Sequence, residues 1–101
     1  MAKQIKNDKG FLVIKCRASE LMRIQNLVLG ICDYCGKADF DGYLCCALGH
    51  TYYCEKCYQD WLKRATRYEE DIPFETKVFE EYKNAFLREG MWAEGTDNEK
   101  I

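Results

Sequence analysis

Residues 30–62 read GICDYCGKADFDGYLCCALGHTYYCEKCYQDWL, and they hold six of the chain's seven cysteines and its single histidine. Two Cys-x-x-Cys pairs, Cys32 with Cys35 and Cys54 with Cys57, stand eighteen residues apart. Two residues between cysteines let a tight turn aim both sulfurs at one ion about 2.3 Å away, and a second pair completes a tetrahedron. A gap of roughly 15 to 20 residues between pairs marks a paired-knuckle zinc site. Gly36, directly after the first pair, supplies backbone freedom for the knuckle. Cys54 and Cys57 open a helical pattern, where unpaired N–H groups and the positive dipole end favour thiolate. The expected metal set is therefore Cys32, Cys35, Cys54 and Cys57 around one structural Zn²⁺. Four protein ligands leave no open position for water or substrate.

Cys45, Cys46 and His50 lie between the pairs. Consecutive residues of a strand point to opposite faces, so one of Cys45 and Cys46 is expected in the core and the other more exposed. His50, in a turn, is expected to be exposed rather than a ligand, and Cys16 to be core. Whether Cys45, Cys46 and His50 form a second metal site is left open by the sequence.

DFDGYLCCALGHTYY reads as two short strands joined by a turn near Leu48 to His50. Tyr58, Trp61, Leu62, Ala65 and Tyr68 then recur at helical spacing, giving a helix from Cys54 that ends before Pro73. A third helix runs from about Pro73 or Phe74 to Glu89, with Val78, Phe79, Tyr82 and Phe86 as its apolar face and Gly90 as its stop. Upstream, FLVIKC (11–16) reads as a strand. A short helix follows it, with Ser19 as N-cap, Leu21, Ile24, Leu27 and Val28 at helical spacing, and Gly30 as its stop. The fold class is α+β: a small zinc-binding unit of knuckle, β-hairpin and helix, flanked by an N-terminal strand and helix and a C-terminal amphipathic helix. Residues 1–10 are expected to be a flexible basic arm and 11–93 a single zinc-binding domain. Met91 and Trp92 fold back on the core, and 94–101 form a disordered tail.

Knuckle, hairpin and helix with the second ligand pair resemble a treble-clef zinc finger of the group that includes zinc ribbons, GATA-type and LIM modules. The resemblance covers roughly residues 30 to 68 and implies a metal and a local fold more than a function. LGHTYYCEKCYQDWL also resembles the middle of a RING finger. By position, Cys32, Cys35, Cys54 and Cys57 match that family's first zinc site, and Cys46 and His50 match half of its second. The chain departs from the pattern after Cys57, because no later cysteine supplies the last ligand pair.

With 48% hydrophobic residues and a formal net charge of −2 in 101 residues, the chain suits one modest core. No apolar run approaches the roughly 20 residues of a membrane span, and the polar start lacks the apolar segment of a signal peptide, so a cytoplasmic protein without membrane partners is expected. Charge is uneven. Residues 1 to 31 carry six basic side chains against Asp8 and Glu20, whereas residues 71 to 101 carry four against eight acidic ones. That balance disfavours nucleic acid, although Lys63, Arg64 and Arg67 on the second helix, with Lys3, Lys6 and Lys9, offer basic groups. No nucleophile-base-orienter arrangement, phosphate loop or carboxylate pair is present, so a catalyst is not expected. Two Trp, seven Tyr and five Phe exceed what a small core hides, and exposed aromatics anchor interfaces. The reading is a non-catalytic protein-interaction adaptor, with a nucleic-acid-binding finger and a degenerate RING-type ligase-like domain as alternatives.

Overall fold

The computed structural model describes residues 1–24, 31–38 and 40–98. Leu27, Val28 and Gly30, expected to continue and end the first helix, lie outside the described residues. The elements are β1 (Ala2–Lys6), β2 (Val13–Arg17), α1 (Ala18–Ile24), β3 (Asp41–Cys45), β4 (Tyr52–Tyr53), α2 (Glu55–Arg64), α3 (Ile72–Arg88) and β5 (Trp92–Asn98). Short 3₁₀ turns at Cys46–Leu48 and Glu69–Asp71 follow β3 and precede α3.

The five strands form one sheet in the order β4-β3-β2-β1-β5, antiparallel throughout except for the parallel pairing of β1 with β5. Both faces are covered. On one face Ile14, Cys16 and Leu44 pack with Leu21 of α1 and with Val78, Phe79, Tyr82 and Phe86 of α3. On the other, Val13, Tyr43 and Cys45 pack with Tyr58, Trp61 and Leu62 of α2 and with Cys32, Cys54 and Cys57. Tyr43 and Tyr58 stack at 4.3 Å between centroids, fixing α2 to β3. The strand residues alternate between these two cores, as the pleat requires.

Two-sided cover corrects the expectation for Cys45 and Cys46. Both are fully buried, one under α2 and the other under α3. Cys16 is core, as expected.

The expected basic arm is also corrected, because β1 lies between β2 and β5. Ala2 enters one core and Ile5 the other, so AKQIK is anchored at two points on opposite faces and shows no alternation along one face. The expected disordered tail is corrected as well: 92–98 form β5, beside β1, and the domain spans at least 2–98 rather than 11–93. Residues 99–101 lie outside the described residues.

Boundaries shift where tertiary contacts intervene. α1 begins at Ala18 rather than after Ser19, and the Glu20 carboxylate reaches back to accept the Arg17 N–H at 2.9 Å. α2 ends at Arg64, and Ala65 is extended, so Tyr68 is not on the helix and is exposed. The Lys9 ammonium donates to the carbonyls of Lys63 and Ala65 at 3.1 and 2.7 Å, capping the last turn of α2. α3 matches its expected extent closely. Gly90 stands at φ +67°, its N–H donating to Leu87 and the Met91 N–H to Phe86, which closes the helix and returns Met91 and Trp92 to the core. Gly42 is required for space. A Cβ there would overlap the Tyr52 ring, which lies across it.

Candidate metal centre

The first ligand pair sits on a hairpin-like knuckle closed by an Ile31–Ala38 bridge. The Cys32 N–H donates to the Lys37 carbonyl at 2.9 Å and the Gly36 N–H to the Cys32 carbonyl at 2.9 Å. Gly36 has φ +76°, a conformation that side-chain-bearing residues rarely adopt, so the glycine is what lets the chain turn back under the two sulfurs. Asp33 then locks the knuckle onto the hairpin: its N–H donates to the Tyr52 carbonyl at 2.8 Å, and its carboxylate accepts the Tyr52 N–H at 2.8 Å. The second pair comes from the start of α2, with Cys54 as N-cap residue and Cys57 in the first turn.

These elements bring Cys32, Cys35, Cys54 and Cys57 together with their sulfurs all within 4.8 Å of one another. Cys35 Sγ and Cys54 Sγ are 3.8 Å apart. Four sulfurs placed about 2.3 Å from one ion at tetrahedral corners stand roughly 3.8 Å from each other, so the spacing fits a single ion. Three of the four are buried and Cys35 is exposed.

The protonation chemistry agrees with the geometry. Burial raises the Cys32 thiol, but backbone N–H groups of Cys35, Cys54 and Tyr34, together with the Cys57 side chain, outweigh it and bring the value down to about 6. Burial and the hydrogen bonds of the other three sulfurs push Cys57 up to about 12. Four crowded thiols cannot all ionise on their own charge; one becomes thiolate and another holds its proton. A divalent soft cation supplies the positive charge that lets all four do so.

The remaining sequence candidates are not part of this cluster. The four cysteines are the one group among the described residues able to hold a metal through three or more cysteine, histidine or carboxylate ligands. His50 Nδ1 lies 2.8 Å from the Tyr82 hydroxyl, and Cys46 Sγ points to the Leu44 carbonyl at 3.9 Å. Half of a second RING-like site is therefore not assembled from these two. Three of the expected basic groups have contacts within the fold. Arg67 pairs with Glu75 at 2.9 Å, Lys9 caps α2, and the Arg64 guanidinium lies over the Tyr34 ring at 5.6 Å.

No protein family, curated protein or solved structure matches this chain. The site is thus defined by its own donor set and geometry.

Two supporting residues are not singled out by sequence reasoning. Asp33 sits inside the first Cys-x-x-Cys, where an acidic residue reads as solvent-facing, and its role appears only when Tyr52 is placed opposite it. Glu75, in the first turn of α3, is 1% exposed; its carboxylate accepts the Leu12 N–H at 2.9 Å and binds Arg67. No helix among the described residues is long and apolar enough to cross a membrane.

Proposed function

We propose that this chain is a zinc-stabilised, non-catalytic module that binds another protein. The single observation that carries the reading is the pairing of a four-sulfur donor set with large apolar side chains left at the surface. Phe40 is 89% exposed, Tyr34 68%, Tyr68 55% and Phe74 52%. Zinc is the metal that suits four thiolates at tetrahedral spacing, and four protein ligands make its role structural. Knuckle, hairpin and helix follow one another in the order of a treble clef, which supports that assignment for residues 30 to 68. The chemistry bound zinc supplies is charge neutralisation of the thiolates and cross-linking of the knuckle to α2. The chain's own residues do the rest: Gly36 shapes the knuckle, Asp33 docks it on β4, and Tyr43 and Tyr58 seat the helix on the sheet.

The pairing of Arg67 with Glu75, the capping of α2 by Lys9 and the stacking of Arg64 on Tyr34 speak for the protein-binding reading over the nucleic-acid alternative. A mobility-shift titration at low and moderate salt tests the choice. Binding that is tight, falls steeply with salt and is lost in Arg64→Glu/Lys63→Glu would overturn the reading, since released counterions are the signature of phosphate contacts. No shift at micromolar protein is the expected result.

A further inference from the structure

A cleft of about 240 Å³ opens between the Cys46–Leu48 turn, the end of α2 and the Glu69–Asp71 turn. Phe11 and Trp61 line it, with ring centroids 4.7 Å apart, and Leu48 and Tyr68 stand at its mouth, both exposed. The Phe74 ring lies against Gly49, beside Leu48, and extends the apolar rim.

We infer that this cleft receives one apolar side chain of an extended, lysine- or arginine-bearing segment of a partner protein. The inference rests on the protein-binding reading above and names its surface and the partner's chemistry. Three observations converge on it. The volume is below the roughly 300–1,000 Å³ of small-molecule sites and matches one anchoring side chain of a larger ligand. Leu48, Tyr68 and Phe74 leave apolar area in water at one place, beside a depression, which is the arrangement interface anchors use. Charge selects the occupant. Asp71 lines the cleft, Glu69 and Glu70 stand between the lining residues Tyr68 and Asp71, and all three acids are exposed, while Arg67, the one basic lining residue, is neutralised by buried Glu75. Three acids outnumber the Lys9 ammonium, which is held at the carbonyl of the lining residue Ala65, so cationic side chains flanking the anchor are attracted and acidic ones repelled. The same charge balance disfavours a nucleic acid or a small anion here.

The test is selection of a random twelve-residue peptide library on the zinc-loaded full chain, with Leu48→Asp/Tyr68→Ser and Glu70→Lys/Asp71→Lys as comparison proteins. All four positions are exposed, and zinc content with circular dichroism verifies that the variants fold. The expected result is enrichment of peptides combining Lys or Arg with an aliphatic or aromatic residue. Their binding should fall at least tenfold in both variants and survive Phe40→Asp at the distant knuckle loop. Amide shifts on titration should cluster at residues 47–48 and 65–71. Acidic enriched peptides, or no enrichment, would overturn the inference. Peptides that bind both variants undiminished but lose binding in Phe40→Asp would overturn this site while leaving the protein-binding reading intact. A dimer of the chain that Leu48→Asp/Tyr68→Ser dissolves would assign the cleft to a second copy and overturn it as well.

Discussion

Replacing Glu75 by alanine is expected to destabilise the zinc-loaded protein by about 3 kcal/mol, a large share of a small domain's stability. The estimate is built from two partners. The Leu12 N–H, partly buried and held at 2.9 Å by Glu75 Oε2, would lose its acceptor, which costs about 2 kcal/mol. Arg67, held at 2.9 Å by Oε1, would keep its charge beside an apolar cleft. Breaking a fully buried pair costs about 3–5 kcal/mol, but the Arg67 side chain is 29% exposed and regains solvation, so about 1 kcal/mol of that remains and brings the total to about 3. Glu75→Gln keeps an acceptor for Leu12 and loses only the charge, so about half the effect is expected. The assay is urea unfolding at saturating zinc, completed as a double-mutant cycle with Arg67→Ala. For a chain of this size the alanine change should lower the midpoint of thermal unfolding by roughly 10–20 °C. A loss under about 0.5 kcal/mol, the range of an ordinary surface change, would contradict this role for Glu75, as would single changes that add without coupling.

Gly42→Val should be strongly destabilising, because a side chain there overlaps Tyr52 in the core, and calorimetry would register it as a fall in unfolding temperature, whereas Gly36→Ala should chiefly weaken zinc retention in a chelator competition. Cys54→Ser should leave the chain largely unfolded, since structural zinc contributes on the order of 10 kcal/mol, while His50→Ala should keep fold and zinc; equal damage in circular dichroism would make His50 a ligand. Stability should fall as alkali is added: burial, then the Glu75 charge, pushes Cys46 up from 9.0 to about 12, and burial raises Cys16 and Tyr53 in the same direction. Between pH 9 and 12 the unfolded chain gives up a proton that the fold keeps at Cys46, so unfolding gains at up to about 1.4 kcal/mol per pH unit for that group. Denaturant titrations at pH 8 and pH 10 should separate, and Cys46→Ala should reduce the difference.

The parts of this fold legible in the sequence are those whose cause is local. Two Cys-x-x-Cys pairs announce their knuckles because the turn geometry is contained in four residues. The spacing of Val78, Phe79, Tyr82 and Phe86 announces α3 for the same reason, since one helix face meets one core. What was not legible depends on distant partners. AKQIK and WAEGTDN lack a one-sided alternation, and they are strands because each fills the other's hydrogen-bonding edge in a sheet whose two faces are both covered. That cover is also why Cys45 and Cys46 are buried together. α2 stops at Arg64 although Ala65 and Tyr68 continue its periodicity, because the Lys9 ammonium, fifty-four residues from Lys63, takes the terminal carbonyls. Glu75 and Asp33 carry no signal in the sequence, because their roles depend on Leu12, Arg67 and Tyr52 being placed beside them.

Native mass spectrometry of the purified chain, made with zinc available, counts bound metal and lost protons in one spectrum. One zinc per chain with the four ligand thiols deprotonated is expected, and its loss together with the folded charge-state distribution in Cys32→Ser. A folded chain without zinc, or a chain carrying two ions, would contradict a fold held by Cys32, Cys35, Cys54 and Cys57 around a single metal.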